Sequence, residues 1–350
     1  MRVVVVGATG NVGTSLLDAL ADEPAVESAL GIARRRPELE LPKVEWAQAD
    51  VSRDDLVPHF READCVVHLA WKIQPSRDPG ALRATNVHGS SRVFLAVAEA
   101  GVPALVYASS VGAYSPGPKD RLVREEWPTD GIRSSFYSRH KAEVERILDH
   151  FEHDRPETRV VRLRPGLIFK REAATGIRRL FAGPFLPTPL LHPRLVPLVP
   201  DLPRLRVQGV HSRDVGEAYR LAVVVGDARG PFNIAADPVL DPPELARIFG
   251  ARPVPVSEAL ARAVTALTWR LRLQPTPPGW LDLALNVPLL DVTRARSELG
   301  WEPRRRANDA LLELLDGMRE GAGAPTPPLD PGTGGPARLR ELAQGVGARE

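Results

Sequence analysis

Tyr137 and Lys141 stand four residues apart in YSRHK, at the start of a stretch with helical periodicity, 136–153. One helical turn separates them, so both side chains project from the same face. A free tyrosine titrates near ~10, too high for ready proton exchange at neutral pH. A nearby ammonium favours the phenolate and lowers that value. The pair is therefore a candidate acid/base for an alcohol or carbonyl oxygen. Simple packing of a helix-start tyrosine is the competing reading. Ser109 ends the strand-like run 103–109 and Ser110 follows it, one strand–helix unit earlier. A hydroxyl there can bond the oxygen that Tyr137 would protonate, or merely cap a turn.

A second constellation opens the chain. In VVVVGATGNVG (3–13), four valines precede glycines at 7, 10 and 13. The valines read as a strand buried on both faces, and the glycines permit a tight turn into a helix. Backbone amides left unpaired at that helix start, together with the helix dipole, suit a pyrophosphate. The spacing is G-x-x-G-x-x-G. Folds specific for NAD usually carry an acidic residue about 20 positions onward for the ribose 2′-hydroxyl. Here Ala33 stands where the acid is expected, and Arg34, Arg35 and Arg36 follow. Arginines would bind a 2′-phosphate through charge-assisted bonds, favouring NADP over NAD. A solvated basic loop is the alternative.

Strand-like segments at 2–6, 26–33, 44–48, 64–69, 103–109 and 158–164 alternate with helical patterns at 11–22, 52–62, 79–101 and 136–153. Alternation of this kind means parallel strands with helices on both faces, and a ligand site at the carboxyl ends of the strands. The predicted fold class is α/β, a Rossmann-type doubly wound parallel sheet with a smaller C-terminal substrate-binding subdomain. The expected division assigns 1–165, with 207–235 returning to it, to the dinucleotide-binding unit. Residues 166–206 and 236–315 go to the substrate side, and 321–350, Gly/Pro-rich at its start, to a flexible tail.

A net charge of +2 with 26% charged residues offers no overall bias toward nucleic acid or a membrane surface. The single cysteine, Cys65, lies in the apolar run CVVHLA and reads as a buried thiol in a reducing cytoplasm. Met1 is followed at once by a core strand, leaving no room for a leader, and proline interrupts the apolar stretches. A cytoplasmic protein is expected, with no membrane or nucleic-acid partner. No Cys/His/carboxylate group has metal-ligand spacing.

Taken together, the motifs GATGNVG (7–13), AD-V (49–51), HLA (68–70), TNVHGS (85–90), YASSVGAY (107–114), YSRHK (137–141), RPGLIF (164–169), VHSRDVGEA (210–218), FNIA (232–235) and ELGWEP (298–303) occur in one order. In this the chain resembles the extended short-chain dehydrogenase/reductases, the group containing NAD-dependent epimerase/dehydratases such as UDP-galactose 4-epimerase. The resemblance spans roughly residues 1–310. It implies that Gly7, Gly10 and Gly13 shape the pyrophosphate turn, with the amides of Asn11 and Val12 near the phosphates. Asp50 and Val51 would flank the adenine, and Leu69 and Ala70 would line the cofactor. It makes Asn86 a support of the site through backbone or water, Ser110 the active-site serine with Ser109 beside it, and Tyr137 the acid/base. Lys141 would hold the nicotinamide ribose and tune Tyr137, while Pro165 and Gly166 would begin the loop beside the nicotinamide. A homodimer through helices 79–101 and 136–153 is implied as well.

Dehydratases of that group place Asp-Glu after the active-site serine or threonine; Val111-Gly112 here argues against that chemistry. Nucleotide-sugar epimerases usually carry an Asn after the sixth strand, which RPGLIF lacks, and this favours a simple reductase over an epimerase. The expected activity is hydride exchange between nicotinamide and a secondary alcohol or ketone, a sugar derivative being one option. A non-catalytic dinucleotide sensor or scaffold is the alternative. Farther along, Arg178 and Arg179 could meet an anion or be solvated, and Asp214 is expected to cap the following helix. Trp71 could wall the substrate cleft or be core, and Trp269 and Trp280 could cover the pocket or meet a partner.

Overall fold

The computed structural model describes residues 1–73, 78–181 and 196–334. Seven parallel strands form one sheet, in the spatial order Gly230–Ile234, Arg159–Pro165, Ala104–Ala108, Cys65–His68, Arg2–Val6, Ser28–Ala33 and Val44–Gln48. Strand order reverses at Arg2–Val6. The second and third strands lie to one side of it and the rest to the other, so a crevice opens beside the first strand where such sheets take ligands.

The valine run forms the central strand because both its faces are covered. Val3 and Val5 pack with Cys65 and Val67 on one side, Val4 and Val6 with Val66 and Phe94 on the other. None of the four valines is more than 1% exposed. Each contributes about 1.5–3 kcal/mol by removal of its area from water. Cys65 is likewise fully buried, which pushes its thiol up to about 12 and leaves it inert at neutral pH. Helix Gly89–Ala100 stops at Gly101, whose φ of 69° few other residues would accept.

Two elements and one helix cap differ from the sequence reading. The helix expected over 52–62 is only Val57–Phe60, because Asp50 takes the Ser52 amide and hydroxyl into a turn and Pro58 supplies no amide to an earlier turn. The strand Val207–His211 does not join the large sheet. It pairs with Leu167–Phe169 and Ala236–Leu240 in a three-stranded sheet, while strand Gly230–Ile234, after helix Ser212–Val224, joins the large sheet beside Arg159–Pro165. That helix presses on helix Asn11–Ala21 closely enough that a side chain at Gly216 would meet the Ser15 carbonyl at 2.6 Å. Asp214 accepts the amides of Arg304 and Arg305, and the helix is capped by His211.

The tail expected from 321 onward is also corrected in its first part. Thr326 is 1% exposed and donates to the Thr9 carbonyl at 2.9 Å, with Leu329 buried beside it. Composition showed the glycines and prolines; the anchor is one threonine bonded to the glycine turn more than three hundred residues away. Residues 335–350 of that tail, and 182–195 of the expected substrate side, lie outside the described residues.

Candidate active site

The glycine turn is enforced by contact. Gly7 has φ +87° and faces the backbone of Leu69 and Ala70, where a Cβ would stand 2.6 Å from the Ala70 nitrogen. A Cβ on Gly13 would stand 2.4 Å from the Ala8 carbonyl oxygen. Helix Asn11–Ala21 begins at Gly10 with no side-chain cap and no acidic residue in its first turn. The amides of Asn11, Val12 and Gly13 are thus the ones that lack intrahelical acceptors. The Asn11 Oδ1 is buried without a partner. Open amides, a positive helix end and an unsatisfied buried polar atom fit a diphosphate.

Tyr137 opens helix Phe136–Asp154 behind the Ser135 cap. Its ring lies so close to Gly112 that a Cβ there would stand 2.7 Å from Cε1. Ser110 stands beside the same Gly112, its Oγ 3.4 Å from where that Cβ would lie and accepting the Gly112 amide at 3.0 Å. Burial pushes Tyr137 up to about 12 against the opposing pull of Ser110. Lys141 sits one turn on, donating to the Ala108 carbonyl at 2.5 Å, with Nζ 3.5 Å from the centroid of the Trp71 ring. Burial brings it down to about 7, resisted by Glu145.

The sequence expectation that Lys141 acidifies Tyr137 is therefore altered in this structure. Nζ is 6.0 Å from the Tyr137 ring centroid and is engaged by a carbonyl and an indole face, and Ser110 is the group that favours the phenolate.

A family model described as the NAD dependent epimerase/dehydratase family matches residues 3–186. The chain belongs to that family. Rv2047c of Mycobacterium tuberculosis (strain ATCC 25618 / H37Rv) is 28% identical over 325 residues, which are 91% of this chain and 30% of that protein. The chain thus spans about three-tenths of the length of the curated relatives it matches. The structure of UDP-glucose 4-epimerase from Thermus thermophilus with NAD is 21% identical, with TM-score 0.66 over 91% of this chain and 99% of that one. UDP-glucuronic acid 4-epimerase from Bacillus cereus, with UDP-glucuronic acid and NAD, is 16% identical, with TM-score 0.67 over the same shares. These two share the fold.

Against the epimerase/dehydratase pattern, the structure sorts the expected residues into three groups. Ser110, Tyr137 and Lys141 converge. Gly7, Gly10, Asn11, Val12 and Gly13 form the turn, with Leu69 and Ala70 against it. Asn86, fully buried in the π-helical turn Ala84–His88, accepts the Lys72 amide at 2.7 Å and donates to the Lys72 carbonyl at 3.0 Å. It thereby fixes the chain just past Trp71. Arg34 is exposed beyond strand Ser28–Ala33, near enough to Asp50 and Lys72 to act on both charges. Burial opposes the Asp50 charge, but Ser52, Arg34 and Arg53 outweigh it and hold the carboxyl below its usual range. Arg35 is exposed next to Arg34, and Val51 is buried against Gly89.

Two residues expected at the cofactor have other engagements. The Ser109 hydroxyl donates to Glu145 at 2.5 Å, inside the protein. Gly166, following Pro165, is needed because strand Val207–His211 passes so near that a Cβ would lie 2.4 Å from the Gln208 carbonyl oxygen. Sequence reasoning also missed Glu145, Arg162 and Arg164, which form a buried ionic cluster behind the site. The one available signal was a carboxylate a further turn past Lys141 on the same helix. His68, bonded to Ser90 and lowered to about 3 by burial, stays neutral.

Among the described residues no His/Cys/Asp/Glu group could hold a metal ion, and no helix is long and apolar enough to cross a membrane.

Proposed function

We propose that this family member is an NAD(P)-dependent oxidoreductase or epimerase acting on a secondary alcohol or ketone. The observation that carries it is Ser110 and Tyr137 side by side against Gly112, with Lys141 one turn on, at the strand ends that also hold the glycine turn. Trp71, next to the Ala70 that contacts Gly7, touches both Lys141 and Tyr137 and so links the two halves of the site.

A bound nicotinamide would supply or accept the hydride. The chain's own part is then to hold and move the proton. Tyr137 gives it to a carbonyl oxygen, or takes it from an alcohol, while Ser110 donates to the oxygen that carries charge. The Asn11, Val12 and Gly13 amides would hold the diphosphate, and Lys141 the ribose. Val111-Gly112 puts no acid beside the site, which disfavours dehydration. Exposed Leu95 (67%) on helix Gly89–Ala100 supports a homodimer through that helix and Phe136–Asp154.

Ala33 and Arg34 support NADP over NAD. Arg34→Ala is expected to raise the NADPH Kd by about 10- to 100-fold, the size of a lost bond to a charged group. The NADH Kd should stay within about two-fold. Fluorescence titration of both cofactors checks this, and equal loss for both would assign Arg34 to the diphosphate. Transfer of deuterium from 4-deuterated NAD(P)H into a recovered alcohol tests the reaction itself.

A further inference from the structure

Helix Glu258–Arg270 is inverted relative to an ordinary surface helix. Leu260, Val264, Leu267 and Leu271 recur at steps of three and four, so they share one face. That face meets solvent: with Leu273 just past the helix, these side chains are 52–60% exposed. A surface helix normally turns such a stripe toward the core. Here none of the 13 helical residues is buried, and the half-buried side carries Ala261, Thr265, Thr268 and Trp269. The printed bonds around it are polar. Ser257 accepts the Leu260 amide at the start, Arg262 meets Asp282 at 2.9 and 3.2 Å, and Gln274 donates to the Thr265 carbonyl at 3.1 Å.

The apolar surface is concentrated. Among the described residues, seven of the twelve exposed large hydrophobic side chains lie between 198 and 273, which makes a patch and not a scatter. The two beyond those already named, Leu198 and Val254, sit on the paired strands Leu198–Asp201 and Arg252–Pro255, and the second of these leads into the helix. The same stretch is basic. Residues 252–273 hold Arg252, Arg262, Arg270 and Arg272 against one carboxylate, Glu258. Arg270 and Arg272 flank Leu271 in sequence and are exposed, and neither has a carboxylate partner among the described residues. The net charge of +2 for the whole chain conceals this local excess, which is why the sequence reading expects no membrane partner.

We propose that this face docks the protein on an anionic lipid surface. The helix lies in the plane of the interface, its leucines reach the upper acyl chains, and Arg270 and Arg272 meet headgroup phosphates. Charge and shape select this occupant. A second copy would set four arginines against four. An acidic protein would satisfy the charge, but it needs a groove matched to a leucine ridge, whereas acyl chains close around any ridge. Arg262 ties the helix to Asp282 on helix Gly279–Asn286. That second helix carries Trp280, which packs on Tyr137 with ring centroids 5.1 Å apart, in a buried cluster with Ile132, Leu180, Leu283 and Val287. The docking face is thus one helix removed from Tyr137, and it is independent of the reaction proposed above.

The test sediments the full chain with vesicles of phosphatidylcholine alone and of phosphatidylcholine mixed equally with phosphatidylglycerol. Binding to the mixed vesicles is expected to be at least about 10-fold tighter and to weaken as salt is raised. Leu267→Glu with Leu271→Glu should lower the affinity for mixed vesicles at least about 10-fold, and Arg270→Glu with Arg272→Glu about 10- to 100-fold. The dinucleotide Kd should stay within about two-fold in both, which reports that they fold. Absent vesicle binding, with a concentration-dependent dimer in light scattering that Leu267→Glu abolishes, would overturn the proposal in favour of a second copy. Absent vesicle binding in any other case would overturn it outright. Equal binding to the two vesicle types, or binding that the substitutions leave unchanged, would overturn it as well. The lipid and salt dependence of the wild type decides the matter even if a variant fails to fold.

Discussion

Tyr137→Phe is expected to lower kcat by about 10²–10⁴-fold, the usual contribution of a positioned acid/base, while the dinucleotide Kd changes by less than about two-fold. The separation follows from where the ring sits. Its packing on Trp280 and against Gly112 uses ring carbons, which phenylalanine keeps. The glycine turn contacts Leu69 and Ala70, not Tyr137. What is lost is the hydroxyl beside Ser110, and with it the proton. Single-turnover hydride transfer monitored at the nicotinamide absorbance, beside a cofactor titration, separates the two effects. Ser110→Ala should cost less, because water can still donate to the oxygen. Full activity in Tyr137→Phe would remove Tyr137 from the chemistry.

How far the sequence exposes this molecule depends on whether a feature is local. The valine strand, the glycine turn, and the Tyr137–Lys141 face are each set within a dozen residues, so periodicity and spacing reveal them. That the sheet is parallel with helices on both faces follows because strands and helices alternate. Legibility fails where partners are far apart. Nothing near Thr326 signals that Thr9 will accept its hydroxyl, and nothing near Gly166 announces strand Val207–His211 beside it. Lys141 shows the same limit inside a motif. Spacing places it on the Tyr137 face, but the direction of its ammonium is set by Trp71 and the Ala108 carbonyl. The Trp280 cluster joins residues from 111 to 287, and no local pattern marks them as neighbours of the reacting tyrosine.

The largest stability loss is expected from Glu145→Ala, about 3–5 kcal/mol, because a buried charge cluster would lose its only fully buried anion among the groups that meet there. Glu145 is fully buried and accepts from Arg162, from Nε and Nη2 along one edge of the Arg164 guanidinium, and from Ser109. Arg164 also reaches the Tyr114 hydroxyl and the Glu125 carbonyl, and Tyr114 in turn donates to Asn233 on the edge strand. Truncation would strand the Arg164 guanidinium, whereas Arg162 keeps two carboxylates nearer the surface, Asp149 and Glu152. Burial alone would raise the Glu145 carboxyl; Arg164, Arg162 and Ser109 outweigh it and bring it from 4.5 down to about 2. A carboxyl lowered in the folded state stabilises fully above its unfolded value, and that contribution fades as pH falls from about 4.5 toward 2. Urea unfolding at several pH values should therefore show a steep acid limb in the wild type and a flatter one in Glu145→Gln, with an unchanged m value. The site should feel the same change. Glu145 lies one turn past Lys141 and holds the serine next to Ser110, so Glu145→Gln should reduce kcat more than KM even where the variant is fully folded. A variant as stable as the wild type at neutral pH, with the same acid limb, would mean that the arginines find other counter-charges and that this cluster does not anchor the catalytic helix.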